Sequence, residues 1–190
     1  MNPYQSLRDY EMRKVSYVIL MGSLWLGLLA ACGRGAKPEV VPTPTPVILS
    51  QWAVGAQASS AYGLPDWSAR RATGAPDVNV CGDDPRAWAS ARGNGLEWLE
   101  LSYAEPVYAT EVRIYQTWGR GAVARVHLRD ESGEAHLVWE GTDTDDTCPG
   151  VLRLSFPRVT YRVAGVRIEL DESRTGFWNQ VDAVELIGVR

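Results

Sequence analysis

The sequence has little of what side-chain catalysis usually asks for. It holds two histidines, His127 and His136, and both fall in segments of strand alternation with no cysteine or serine motif beside them. It contains no nucleophile elbow, no HExxH and no glycine-rich phosphate loop, so acyl-transfer, zinc-protease and P-loop chemistry find no support. Carboxylates are plentiful, and whether two of them pair across a glycosidic bond is not readable from sequence. A cationic excess is also missing. Lys and Arg number 19 against 23 Asp and Glu, for a net charge of −4, which gives nucleic acid or an anionic membrane surface no electrostatic footprint. Helical periodicity is almost absent, and there is no internal repeat. Phenylalanine is scarce, at two, whereas tryptophan reaches eight. Tryptophan suits places where one edge stays wet, so a few of the eight are candidates for ligand contact and most for core packing.

The one long uncharged run lies near the start. Met12-Arg13-Lys14 precedes VSYVILMGSLWLGLLAA, and Cys32-Gly33 follow. A basic start, an apolar run and small residues before a cut form the layout of a secretory signal over residues 1–31. Leu29-Ala30-Ala31-Cys32 resembles a bacterial lipobox, which implies a diacylglyceryl group on Cys32 and a protein anchored in the cell membrane on its extracytoplasmic side. Asp9 and Glu11 are out of place ahead of such a run, which points to Met12 as the true start. The alternative is an uncleaved anchor, for which seventeen residues is short. Residues 32–47 then carry Pro38, Pro42, Pro44 and Pro46, a density that favours an extended polyproline II linker.

From about residue 48 to 190 the pattern is that of strands. Leu99, Leu101 and Tyr103 share one face against Trp98, Glu100 and Ser102 on the other, and Val112 and Ile114 continue the alternation. Ala104-Glu105-Pro106 separates these two runs, because proline lacks a ladder donor. Further strands are read over 122–130, 135–141, 151–156, 161–170 and 177–190, with a hairpin turn at Glu131-Ser132-Gly133. Residues 58–77 read as loop, broken by one helical turn around Trp67–Thr73. Seven or eight short strands with frequent turns specify an all-β sandwich or barrel.

Several stretches carry a resemblance. They are Ala58-Ser59-Ser60-x-Tyr62-Gly63, Trp67-Ser68-Ala69, Ala72-x-Gly74-Ala75-Pro76, Ala87-Trp88-Ala89-Ser90, Glu97-Trp98-Leu99-Glu100-Leu101, Tyr115-Gln116-Thr117-Trp118 and the closing Trp178-Asn179-x-Val181-Asp182-Ala183-Val184-Glu185-Leu186. Together they resemble the pappalysin-1-type (SD scarf) domain and, more remotely, discoidin or factor 5/8 type C modules. The resemblance spans roughly 50–188 and implies a galactose-binding-like jelly-roll β-sandwich that binds carbohydrate, lipid or protein. Trp88, Trp98 and Trp178 sit in motif positions and are expected in the core.

Cys81 and Cys148 remain once Cys32 is set aside. In an exported domain such a pair reads as a disulfide, with two buried thiols as the alternative. The bond would draw together Asp83 and Asp84 with Asp143, Asp145 and Asp146. Such hard oxygen ligands suit calcium, and in the discoidin-type relatives an early acidic loop and a late glutamate hold one, places that Asp77 and Glu185 could take. A structural calcium on Asp77, Asp83, Asp84, Asp145 and Glu185 is therefore one expectation, and solvent-facing acidic turns are the other. No other cofactor is required.

For ligand contact the sequence nominates Trp118 and Arg120, an aromatic and a guanidinium flanked by glycines in an inter-strand loop, together with Arg86. The late loop Arg174–Trp178 is a further candidate. The reading is a lipid-anchored, non-catalytic binding module for a glycan or an exported protein. A structural part of an envelope assembly, or a polysaccharide-acting enzyme, are the alternatives.

Overall fold

A computed structural model of the chain describes residues 45–190; the leader, Cys32 and most of the linker lie outside them. Nine strands follow in order: β1 Ile48–Trp52, β2 Gly55–Ala58, β3 Trp88–Ala89, β4 Leu96–Trp118, β5 Val123–Asp130, β6 Ala135–Glu140, β7 Gly150–Ser155, β8 Val163–Asp171 and β9 Gln180–Val189. The helical turn expected near Trp67–Thr73 is a 3-10 turn at Ala69–Ala72, and a second occupies Glu172–Arg174. No helix among the described residues is long and apolar enough to cross a membrane.

All pairings are antiparallel, and they form two sheets that share β4. The first half of β4 lies between β2 and β8, and that sheet continues through β5 to the edge strand β6. The second half lies between β9 and β7, with β1 and β3 on the far side of β9. Pro106 therefore does not end a strand, as the sequence suggested. The register with β8 shifts between Ser102 and Val107, and here the chain passes from one sheet to the other without losing its extended form. A strand that changes sheets through an irregularity is how sandwiches turn a corner. Pro106 fits the bend because it has no N–H to leave unpaired, and its carbonyl accepts from Arg162 Nη2 at 2.9 Å.

Alternation fixes which side chains fill the space between the sheets. Leu99, Leu101 and Val107 from β4, Val126 and Leu128 from β5, Val166, Ile168 and Leu170 from β8 and Val184 and Leu186 from β9 are all buried. Trp88 belongs with them, fully buried, its indole N–H donating to the Ser60 carbonyl at 3.0 Å. Trp98 does not. It shares the outer face with Glu100, and the Arg167 guanidinium lies 4.2 Å from its ring centroid. Arg167 also reaches Glu100, and Arg125 pairs with Glu140 and Glu169, so this face is a charged lattice laid over an aromatic. The alternation that sets Trp98 opposite Leu99 is observed, and the core position expected from the motif is not, because a one-residue step along a strand reverses the side-chain direction.

Candidate functional site

At one end of the sandwich the loops after β2, β3, β4, β6 and β8 come together. The disulfide between Cys81 and Cys148, with Cα atoms 5.1 Å apart, ties the loop before β3 to the loop before β7. Gly82 N–H also donates to the Thr117 carbonyl at 3.0 Å, seating that loop on the end of β4.

Beneath these loops runs a buried polar chain. Glu172 accepts from the Asn179 amide at 2.9 Å and from Ser90 Oγ at 3.2 Å. Asn179 Nδ2 donates to Gln116 Oε1 at 2.7 Å and to the Gly119 carbonyl at 3.0 Å. Gln116 Nε2 donates to Asp143, and Arg120 closes the chain on the same carboxylate through Nε and Nη2 at 3.0 and 2.9 Å. The links tie the β8–β9 connection to β4, to the turn after β4, to the loop after β3 and, through Gln116, to the loop after β6. The side chains thus set loop positions that backbone ladders leave open. Burial pushes the Glu172 carboxyl up to about 7.

Arg120 corrects the expectation drawn from its flanking glycines. Its side chain is 4% exposed, and its remaining nitrogen, Nη1, donates to the Thr147 carbonyl at 2.8 Å and meets Asp145 at 3.3 Å. It locks two loops and offers no free donor. Arg86 is exposed, yet it forks onto Asp84 and donates to the Asp77 carbonyl, away from the aromatic end of the loops. Gly119 has a reason of its own to be glycine: φ is +59°, and a Cβ there would collide with the Trp178 carbonyl.

Above this network the loops enclose a recess of about 130 Å³ lined by Tyr62, Trp67, Asp83, Trp118, Trp178 and Gln180. The Tyr62 ring stands at 73° to Trp67 and 84° to Trp178, with centroids 5.3 and 5.8 Å apart. Trp118, nominated for ligand contact, lines the recess, and the exposed Phe177 packs beside it at 6.2 Å. Trp178, expected in the core, stands half-buried at this mouth instead, because Asn179 and Gln180 take the buried positions at the start of β9. Trp67 holds φ at +54°, in the left-handed region that bulky residues avoid. Its amide donates to the Pro85 carbonyl, its carbonyl accepts from Ala89 and its indole N–H donates to Asp83 Oδ1 at 2.8 Å. Strain held by so many contacts is concentrated where a side chain must be aimed. Asp83 Oδ1 takes a second bond, from Gln180 Nε2 at 2.5 Å.

Tyr62, Trp67 and Gln180 were not singled out from sequence. Tyr62 and Trp67 stood in the quoted motifs, five residues apart across Pro65, and only the turn reveals that they face each other.

The five carboxylates suggested for calcium are placed apart. Asp83 serves Trp67 and Gln180, Asp84 pairs with Arg86, and Asp145 caps Thr147 and meets Arg120. Glu185 accepts from Arg113, Tyr115 and Ser50, and Asp77 gives its amide to the buried Asp182. The single cluster of such ligands among the described residues is Asp130, Glu134 and His136 at the β5–β6 hairpin. There Asp130 Oδ1 already caps Ser132 and Glu134, and His136 stacks on Tyr161. Ser132 Oγ donates to Asp130 and not to His136, so no nucleophile–base pair exists at that turn.

A second, open groove of about 330 Å³ lies between Tyr115, Pro149 and Asp182. Asp182, which burial raises to about 6, is spent there on the amides of Asp77 and Val78, both 3.1 Å away. The aromatic recess carries the more specific chemistry.

Comparison with solved structures identifies the architecture. The chain is similar to a chitosan-binding module from a chitosanase/glucanase of Paenibacillus sp. IK-5, 22% identical, with a TM-score of 0.50 over 70% of this chain and 92% of that one. It is similar to the family 32 carbohydrate-binding module of C. perfringens NanJ, solved with galactose, at 16% identity and a TM-score of 0.54 over 73% and 99%. A pectin-binding carbohydrate-binding module follows at 14% and 0.55, over 70% and 89%. Among curated proteins none matches. At these identities the likeness concerns the fold, a galactose-binding-like jelly-roll β-sandwich. Residues 45–190 match the family model described as Pappalysin-1, SD scarf domain, C-terminal, and the chain belongs to that family.

Proposed function

We propose that the chain is a non-catalytic module that holds one residue of a glycan in the aromatic recess, carried outside the cell on a lipid at Cys32. The observation that carries the reading is the recess itself: three indoles and a phenol, held by a strained backbone and a buried network, around a space below the roughly 300 Å³ of a typical small-molecule site. A cleft of that size suits a single ring or headgroup and not an extended chain. An indole face packs on the apolar face of a sugar, and the carboxylate can accept from hydroxyls. Relatives of the same fold that bind chitosan, galactose and pectin support this reading.

Probing a glycan array with the full chain tests the proposal. Selective retention of some glycans, with no depolymerisation of the matching polysaccharides, is expected. An array without selective binding, or release of reducing ends, would contradict it. The lipid tether is tested separately by mass spectrometry of the mature protein, where an unmodified peptide running through Ala31-Cys32-Gly33 sinks it.

A further inference from the structure

The lining of the recess differs in charge from the aromatic site on the outer face of the sheet. On the outer face of the sheet the chain covers Trp98 with its own cation, Arg167, at 4.2 Å. In the recess, Tyr62, Trp67, Trp118 and Trp178 are lined up with no Lys or Arg among them. The acidic residue in that lining is equally unmatched. Asp84 has Arg86, and Asp143 and Asp145 have Arg120, whereas Asp83 has no ion-pair partner among the described residues. Its Oδ1 is taken by Trp67 Nε1 and Gln180 Nε2, and Oδ2 accepts no hydrogen bond among them.

These two features ask for the same complement. Rings set nearly at right angles form a corner, so a group inside it meets aromatic surface from more than one side. The negative face of each ring attracts a cation within about 6 Å of its centroid, and the attraction grows as water is excluded. An unpaired carboxylate at the wall adds a charge of the right sign. Of the donors in the lining, Trp67 Nε1 and Gln180 Nε2 are turned onto Asp83 and Trp178 Nε1 has no partner among the described residues, so what favours an ammonium over a set of hydroxyls is the unbalanced charge. The geometry points to an organic ammonium as the group the recess selects. This deepens the glycan reading and rests on it: the ammonium is the protonated amine of an aminosugar. The same chemistry is offered by a choline headgroup, and the experiment separates the two.

Tryptophan fluorescence or calorimetric titration of the full chain provides the test, with methyl glucosaminide, choline, methyl N-acetylglucosaminide and methyl galactoside as probes. The two ammonium probes should bind at least 10-fold more tightly than the two neutral sugars. Asp83→Asn keeps an acceptor for Trp67 and Gln180 while removing the charge, and should lower ammonium affinity at least 10-fold. On the unaltered chain, added salt should weaken binding, and glucosaminide affinity should fall as pH passes the amine's own pKa while choline affinity does not. Binding of the neutral sugars as tight as glucosaminide would overturn the ammonium inference and leave the glycan reading standing. Choline binding without glucosaminide binding would keep the ammonium and remove the glycan. No binding by any of the four would overturn the ammonium inference, and the glycan reading would then be decided by the array.

Discussion

Glu172 shows what the polar chain beneath the loops costs and what it controls. Burial holds its carboxyl at about 7 against 4.5 for an ordinary glutamate, with Glu97 and Asp171 pushing the same way and the bonds from Asn179 and Ser90 pulling back. In the unfolded chain the group ionises near 4.5. Between those values the folded protein binds more protons than the unfolded one, so stability falls as pH rises through the window and levels off above it. Asp182, raised to about 6 by burial, adds the same sign at the lower end. The Glu172 contribution is on the order of 3 kcal/mol. Glutamine cannot titrate and keeps an acceptor for the Asn179 amide. Glu172→Gln is therefore expected to flatten the profile between pH 5 and 7 and to melt higher than the unaltered protein at pH 8. Parallel profiles would contradict the assignment. Arg120 makes the complementary case: Arg120→Met leaves Asp143 buried without its partner, and urea denaturation should show a loss of about 3–5 kcal/mol. Sequence alone could not separate such a tie from a ligand donor. Trp118 and Arg120 are two residues apart with glycines on either side of Arg120, and what buries the second is Asp143, brought in across another loop.

At the level of elements, β4 decides how much could be read in advance. Its two halves are each clear from alternation, but a strand that serves both sheets looks from sequence like two strands with a proline between them. The short strands β2 and β3 were missed for a different reason. Four and two residues are too few for a period to register, and their pairing with β4 and β9 is what defines them. The cysteine pair was legible because two cysteines left over in a domain expected to be exported read most simply as a bond, and the bond is there. Its bond spans a sequence separation of 67, which corresponds to roughly 4 kcal/mol by chain-entropy arithmetic. The double variant Cys81→Ser, Cys148→Ser should lower stability by about that amount in chemical denaturation. It should also weaken ligand retention, since the same bond seats the loop that carries Asp83. Retention unchanged at full occupancy of the fold would show that the bond supports the scaffold alone.

On the scale of the whole molecule, the family and the sandwich followed from motifs in order and from strand patterning, while the recess did not. Its walls come from the β2–β3 connection, the end of β4, the β8–β9 connection and the start of β9, separated by up to 116 positions, Tyr62 to Trp178, and no local pattern announces that they meet. The division of labour is plain in the structure: the sheets make a rigid frame, the buried polar chain aligns the loops, and the loops present aromatic faces. That frame predicts where a ligand must sit. The most direct measurement uses the eight tryptophan indole N–H signals in a spectrum of the isotope-labelled full chain, assigned by single Trp→Phe variants. On titration with a glycan retained by the array, the signals of Trp67, Trp118 and Trp178 should shift together, and those of Trp98 and Trp139 should stay still. Shifts confined to Trp98 or Trp139, with the three recess signals unmoved, would contradict the account.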